Sequence, residues 1–279
     1  MSSAEQNVSE FGFADLPTST VHQARLCLFE PTRRPTYQVR EMRTSWGKAK
    51  IKGKIGQGHA DVLEAMFWSC ADWRSDLEGR IELLVDTYQL RKIANGGKQG
   101  SFEQLQTVLE DLMGVLVDVD IPARGVTACG HVIDQIVRSK IEIDRRGSLN
   151  GRFCDTPRHY MKVTLGPVFL ALIGADLHLR YDPLPLAQLQ FGVAQALARH
   201  VLSHRSAPRG GYHLDRLLEA VGAGDPEKMS NRRREIRKDA ERLKALGIVI
   251  QAGRVLVNKA SMRAQGSAIP SSERAVANA

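Results

Sequence analysis

Two glycine-containing turns divide this 279-residue chain into segments of similar order. The first turn is Asn95-Gly96-Gly97, and the second is Gly222-Ala223-Gly224-Asp225-Pro226. Each turn follows a short segment with helical apolar spacing and precedes a longer one, which is the pattern of two helices joined by a sharp turn. Glycine suits such turns because it adopts positive φ at little cost. We therefore predict that the chain contains this helical pair twice.

Predicted strands surround the first helical pair. Thr87 and Ser101 are the predicted N-caps of its two helices, since their hydroxyls can accept a hydrogen bond from the first helical turn. In chain order the predicted elements are a helix at 59–71, a strand at 80–85, helices at 88–94 and 102–113, and strands at 115–119, 131–143 and 160–165. A stretch rich in Arg, Gly, Ser and Asn at 145–157 is predicted to be a loop.

The second half of the chain partly repeats this order. Its predicted elements are a long helix at 186–203, a short helix at 214–221, a basic helix at 227–246 that Gly247 ends, and a small hairpin of strands 248–250 and 255–257. Asp225 and Pro226 stand in the N-cap and first-helical order. Helix, strand, helix, turn, helix and hairpin is the order of a winged helix-turn-helix domain.

We therefore predict an α+β fold with two tandem winged helix-turn-helix domains. The first domain would span residues 36–175 and the second 176–259. Residues 1–35 carry several prolines and little periodicity, which predicts a flexible N-terminal arm. Residues 260–279 are small and polar, which predicts a disordered tail.

The predicted helix at 227–246 is strongly basic. It contains eight basic and four acidic residues. With Ile236 at the centre of the buried face, Met229, Ala240 and Leu243 fall on the same side at about 100° per residue. The opposite side carries Ser230, Asn231, Arg234, Arg237, Lys238, Glu241 and Arg242. This helix, and residues 230–246 above all, is the predicted reader of duplex DNA.

A recognition helix places its N-terminal turns against base edges in the major groove, where Arg can bind guanine and Asn can bind adenine. The candidates for that contact are Ser230, Asn231, Arg233, Arg234 and Arg237, with Arg232 beside them in the first turns. Lys238, Arg242 and Lys244 lie further along and are predicted to meet phosphate. The alternative interpretation is a solvated charged face that Glu235 and Glu241 neutralise.

A second basic stretch runs from residue 33 to residue 54, with eight basic residues and one acid. Within it Lys48, Lys50 and Lys52 alternate with smaller or apolar residues, which predicts a strand with one lysine face. That face either contacts the DNA backbone or keeps a sheet edge soluble. Lys98, next to the first glycine turn, is a further candidate for backbone contact.

The helix of the first unit that corresponds to the basic helix is acidic. Residues 102–113 are predicted to expose Glu103, Gln106, Thr107, Glu110 and Asp111. Phosphate would repel these acids. The first domain is therefore expected to contact the DNA backbone or a protein, and not to read bases.

Composition restricts the other possibilities. A formal net charge of +8 favours a polyanionic partner. No apolar window is long enough for a membrane span, and the N-terminus lacks a secretory pattern, so we expect a cytoplasmic protein without a membrane partner. The four cysteines are far apart, and His200 and His204 lack an accompanying carboxylate motif, so no metal or other cofactor is expected. No catalytic motif or ATP-binding loop is present, and we predict no enzyme activity.

Several segments, taken in order, carry a family resemblance. They are 60–64 (Ala-Asp-Val-Leu-Glu), 80–82 with the helical pair behind it, 105–116, 160–172 beginning Tyr-Met-Lys-Val-Thr-Leu-Gly-Pro, 197–204 and 217–237. This set resembles plasmid replication initiators of the TrfA and IncQ RepC type, over roughly residues 54–257. The chain departs from them in its short N-terminal arm and its 145–157 loop.

The resemblance implies a plasmid replication initiator that binds repeated origin sequences (iterons) through the C-terminal winged helix. It further implies that the protein helps to open the origin and recruits the host initiator and helicase. It also implies exchange between a monomer and a homodimer. Two other hypotheses stay open at this stage. One is a winged-helix transcriptional regulator, and the other is a protein-interaction module whose charge is incidental.

Overall fold

The computed structural model describes residues 17–75, 79–138, 159–175 and 178–258. The architecture is α+β, as predicted. The helices are α1 (Val21–Arg25), α2 (Gln57–Trp68), α3 (Thr87–Ala94), α4 (Phe102–Gly114), α5 (Pro167–Ala175), α6 (Leu184–Ala187), α7 (Gly192–Leu202), α8 (Leu214–Ala220), α9 (Met229–Lys238) and α10 (Ala240–Ala245).

The strands form antiparallel sheets. In chain order they are β1 (Ser19–Thr20), β2 (Gln38–Thr44), β3 (Gly47–Gly53), β4 (Cys70–Ser75), β5 (Ile81–Asp86), β6 (Leu116–Ile121), β7 (Val126–His131), β8 (Ile133–Arg138), β9 (Tyr160–Leu165), β10 (His178–Leu179), β11 (Tyr212–His213), β12 (Ile248–Gln251) and β13 (Arg254–Val257). The sheet orders are β2-β3-β6-β7, β4-β5-β9-β8, β11-β13-β12 and the pair β1-β10.

Buried apolar side chains form two clusters. One cluster draws on residues between Leu26 and Ile173, and it lies among α2 to α5 and the two four-stranded sheets. The other draws on residues between Tyr181 and Val255, and it lies among α7 to α10 and the three-stranded sheet. Each of the two predicted helical pairs therefore packs on its own apolar core. These pairs are α3 with α4 and α8 with α9.

Residues 17–35 correct the predicted flexible arm. They are well packed, with Val21, Leu26 and Phe29 almost completely buried. Thr20 caps α1 by accepting a hydrogen bond from Gln23 N, and the Cys27 thiol donates to Ala220 O at 2.9 Å. This segment is held in place by its buried apolar side chains although their spacing is irregular, because burial of each such side chain stabilises the fold by about 1.5–3 kcal/mol. Residues 1–16 lie outside the described part of the chain.

The predicted long helix at 186–203 is in fact two helices, α6 and α7. Between them Phe191 is extended, and its backbone N–H donates to the Asp239 carboxylate at 2.9 Å. Gly192 follows directly, and a Cβ at this position would come within 2.5 Å of the Thr32 backbone. The chain therefore leaves the helix here to accommodate two other segments, which apolar periodicity alone does not reveal.

The predicted basic helix at 227–246 is also interrupted. It begins at Met229 instead of residue 227, because Asp225 accepts a hydrogen bond from Glu227 N within a turn. It breaks at Asp239, whose completely buried carboxylate accepts from Phe191 N and pairs with Arg242 at 2.9 Å. Gly247, with φ of 76°, ends α10 as predicted.

The predicted strand bounds and helix caps are confirmed in part. Strand β9 matches its predicted bounds, and the hairpin β12–β13 forms. Ser101 caps α4, but α3 is capped by Asp86 in place of Thr87, whose hydroxyl donates to His159 O instead. The predicted strand at 131–143 begins two residues late, at Ile133 of β8, because the chain moves from one sheet to the other at buried Val132. The predicted loop at 145–157 and tail at 260–279 lie outside the described residues.

Candidate nucleic-acid interface

The basic helix α9 is anchored on one side only. Ile236 is completely buried in the second core, together with Leu243 of α10. Ser230, Asn231, Arg234, Arg237 and Lys238 are exposed. This division follows from the helical period, since the exposed residues lie about 100° or more around the helix from Ile236. The predicted face of the helix is therefore present over residues 229–238.

Ion pairs divide the basic residues of this region into two groups. Arg232 pairs with Glu235 at 3.1 Å, and Arg242 pairs with Asp239 at 2.9 Å. Arg233 makes two hydrogen bonds of 2.8 Å to the Asp215 carboxylate on α8. For Arg234 and Arg237 no ion pair occurs within the described residues. These two arginines, with Lys238 beside them, are the cations of α9 for which no ion pair is found in the described part of the chain.

The far end of the predicted site is rearranged. Arg242 belongs to α10, after the break at Asp239, where it is exposed and pairs with the Asp239 carboxylate. Lys238 is the last residue of α9, and its ammonium lies 5.8 Å from the centre of the Phe191 ring. The exposed residues on α9 are therefore Ser230, Asn231, Arg234, Arg237 and Lys238, whereas Arg242 lies on the following helix with an acidic partner.

The lysine face of β3 forms as predicted, but its surroundings change its meaning. Strand β3 pairs with β2 on one side and β6 on the other, so the interpretation as an edge strand is wrong. Lys48 lies opposite Asp120, and Lys50 lies opposite Asp118 and 3.5 Å from Glu41. Lys52 lies opposite Leu116. Acidic neighbours therefore offset most of this lysine charge, which the sequence spacing did not show.

Helix α4 has the acidic surface that we predicted, with two corrections. Gln106 is only partly exposed, and it donates to Glu110 at 2.8 Å. Glu103, Thr107 and Glu110 are exposed. Asp111 is half-buried instead, because it binds Lys54 at 2.9 Å and His59 at 3.1 Å. Lys98 is exposed in the turn before α4, close to the point where Gln188 donates to Gly96 O at 3.4 Å. Lys98 is therefore the one predicted DNA-contacting residue of the first helical pair, and it lies in the turn between α3 and α4.

A buried charged cluster, which apolar periodicity does not indicate, joins α2 to α7. The Arg199 guanidinium donates to Glu64 through two hydrogen bonds of 2.9 and 2.8 Å, to Asp61 at 2.7 Å and to Gln57 at 2.7 Å. Tyr181 donates to Glu64 at 2.6 Å. The available signal was an arginine in a helix whose buried residues are mostly apolar, matched by two acids three residues apart on α2.

Burial and pairing act against each other in this cluster. Burial lowers the pKa of Arg199, but the Glu64 and Asp61 carboxylates outweigh it and hold that pKa well above its ordinary value. Burial raises the pKa of Glu64, and Arg199 opposes that rise. Because every member has a partner, the cluster fixes α2 against α7, and with them the two apolar cores.

No geometry for a metal or a membrane span emerges in the described ranges. No group of three or more potential metal-ligating side chains occurs there, and no helix there is both long and apolar enough to cross a membrane. The rings of His200 and His204 lie with their centres 4.8 Å apart and their planes tilted by 56°. Burial, with His204 and Arg25 nearby, lowers the pKa of His200 to about 4, so it is neutral near pH 7.

Comparison with known proteins gives a structural match. The chain is similar to the crystal structure of domains 2 and 3 of RctB, with a TM-score of 0.51 and 13% sequence identity. The match covers 86% of this chain and 96% of that one. No protein-family model and no curated protein matches the sequence. At this identity the likeness shows a shared fold and leaves the function to be argued from the site.

Proposed function

We propose that this protein is a DNA-binding replication initiator whose α9 reads duplex DNA. The observation that carries the proposal is the pair of exposed arginines Arg234 and Arg237, for which the described residues supply no ion-pair partner, on a helix anchored through Ile236. Arginine in this position can donate two hydrogen bonds to guanine in the major groove. Ser230 and Asn231 lie on the same exposed surface, near the N-terminus of the helix, where base contacts are usual.

The order of elements supports a winged-helix assignment for this part of the chain. Helix α7 precedes strand β11, the helical pair α8 and α9 follows, and β12 and β13 form a hairpin that pairs with β11. In the first half, α2, β5, α3, α4 and the later strands occur in a comparable order. We therefore interpret the two halves as tandem winged helices, the second of which is the main reader.

The structural neighbour supports the choice of replication over other DNA functions. It consists of two domains of RctB, a replication initiator. It covers both halves of the present chain and not a single helical pair. The likeness favours an initiator in general, and the TrfA and IncQ RepC type is one candidate within that class.

The proposal extends to the working context. The protein would bind iterons at a plasmid origin in the cytoplasm, help to open the adjacent DNA, and recruit the host initiator and helicase. It would do so by binding alone, without catalysis. Lys98, near the contact between the first turn and Gln188, would meet the backbone of the same DNA.

Footprinting of the full-length protein on the DNA flanking its gene tests the proposal. We expect protection of several direct repeats spaced by about two helical turns, roughly 21 base pairs, because each repeat then presents the same face. A plasmid with only this gene and those repeats should be maintained in a suitable host. Protection of a single promoter operator without plasmid maintenance would instead indicate a transcriptional regulator, and absence of protection would contradict both.

A further inference from the structure

The Arg233–Asp215 pair has a geometry that a solubilising charge does not require. Asp215 lies in the first turn of α8, eighteen positions before Arg233 of α9. The guanidinium Nε donates to Oδ1 and the Nη2 donates to Oδ2, each at 2.8 Å. Both side chains stay substantially exposed, at 40% and 51%. The pair therefore connects the two helices at the surface of the unit that carries the exposed arginines.

The contribution of Asp215 to the stability of the fold is too small to explain its position. An exposed ion pair contributes about 0–1 kcal/mol, because water screens the charges. On a surface that approaches phosphate, an uncompensated carboxylate also weakens binding through repulsion. Hydrogen bonding to Arg233 lowers the pKa of Asp215, so the carboxylate stays ionised at neutral pH. An ionised acid beside a DNA-reading helix is costly unless it improves the contact made by its partner.

The unused donors of Arg233 supply such a reason. Arginine has five N–H groups in a fixed planar fork. The Asp215 carboxylate takes the Nε–H and one Nη2–H, which leaves both Nη1 hydrogens and the second Nη2 hydrogen. These remaining groups form the outer edge of the fork, and two of them suit the O6 and N7 acceptors of guanine. The carboxylate thus fixes the orientation of the side chain and leaves its guanine-binding edge available.

We propose that Asp215 is a specificity-determining residue that orients Arg233 for a bidentate contact with guanine. This inference rests on the proposed function, since it requires α9 to meet base edges. Asp215 itself acts as a positioning residue and touches no DNA. Its effect should therefore appear in the ratio of specific to non-specific affinity more than in affinity itself.

The chain offers a matched control at Asp225. This acid is also exposed, lies in the turn between α8 and α9, and forms an ion pair of 2.9 Å, but its partner is Lys228 and not an arginine of α9. Asp225→Asn and Asp215→Asn each remove one negative charge from the same neighbourhood. Both variants should raise non-specific affinity by a similar factor.

The experiment measures binding of the full-length protein to two duplexes by fluorescence anisotropy. One is the duplex that wild-type protein enriches from a random pool, and the other is a scrambled duplex of the same composition. For Asp215→Asn we expect the specificity ratio to fall by about fivefold or more, which is the lower end for loss of one bidentate base contact. Asp225→Asn should leave the ratio within about twofold of wild type.

Arg233→Lys sharpens the test because it keeps the charge and removes the fork. It should lower the ratio as Asp215→Asn does, and the double variant should lower it no further. Unchanged thermal unfolding of each variant shows that the fold is kept. If Asp215→Asn merely behaves like Asp225→Asn, the inference is wrong. If wild-type protein shows no preference between the duplexes, or Arg234→Ala has no effect, the proposed function itself fails.

Discussion

Arg199 and Arg234 are the same residue type in opposite surroundings. Arg199 is almost completely buried between α2 and α7, where it contacts Asp61, Glu64 and Gln57. Arg234 is exposed on α9, and no ion pair reaches it within the described residues. The Arg199 guanidinium donates four hydrogen bonds within the fold. The Arg234 guanidinium is available to donate to a partner outside the chain.

This difference shows why net charge alone is a poor guide to a binding surface. The chain carries eight more basic than acidic residues, but Arg199, Arg233 and Arg242 have carboxylate partners. Lys48 and Lys50 of β3 face Asp120 and Asp118 across the sheet. What distinguishes α9 is that Arg234 and Arg237 have no carboxylate partner among the residues that the structure describes, which only the three-dimensional arrangement reveals.

The largest predicted effect concerns the buried side of this comparison. Arg199→Met should reduce the free energy of unfolding by about 3–5 kcal/mol, because it leaves Glu64 buried without its cation and leaves Asp61 with only Arg33, at 3.5 Å. Urea denaturation measures this loss. The triple variant Asp61→Asn, Glu64→Gln, Arg199→Met should recover part of the stability, since it removes the uncompensated charges. A loss below about 1 kcal/mol for Arg199→Met would contradict the structural role of the cluster.

A second prediction uses the pH dependence of stability. His200 has a pKa of about 4 in the folded protein, below its ordinary value of 6.5. Its contribution is therefore fully present above pH 6.5 and is lost as the pH falls towards 4, by up to roughly 3 kcal/mol. Denaturation at several pH values checks this.

The control for this prediction is His200→Gln, which cannot titrate. Its stability should fall less steeply than that of wild type over the same acid range. Parallel pH profiles for the two proteins would show that other groups, and not His200, account for the acid sensitivity. Arg25 and His204, which also disfavour the charged form of His200, are unchanged in this variant.

The smallest effect is expected where exposed cations already have acidic neighbours. Replacing Lys48, Lys50 and Lys52 together by Ala should weaken specific DNA binding by less than about 1 kcal/mol, because Asp118 and Asp120 offset their field. A binding titration at moderate salt measures the change. A loss of affinity larger than that of Arg234→Ala would indicate that the main DNA contact lies on the sheet containing β3 and not on α9.

Much of the fold followed from local signals. The alternation of lysines predicted β3, Ser101 predicted the start of α4, and Gly247 predicted the end of α10. The exposed face of α9 followed from the helical period, because a single buried residue, Ile236, fixes the rotation of the whole helix.

The failures share a physical cause. The breaks at Phe191 and Asp239 depend on one hydrogen bond between residues 48 positions apart. The burial of residues 17–35 depends on contacts with α7 and Ala220. The pairing of Arg233 with Asp215 crosses two helices. Periodicity reports only on neighbours along the chain, so contacts of this kind were beyond it.

The central claim is that α9, and not α4, reads DNA. The most direct test measures specific DNA affinity for the double variant Arg234→Ala, Arg237→Ala beside the double variant Gln106→Ala, Thr107→Ala on α4. We predict a loss of roughly 1–3 kcal/mol for each arginine, and a change within about 0.5 kcal/mol for the α4 variant, with both proteins as stable as wild type. Equal losses in the two variants, or no loss in the α9 variant, would contradict the account.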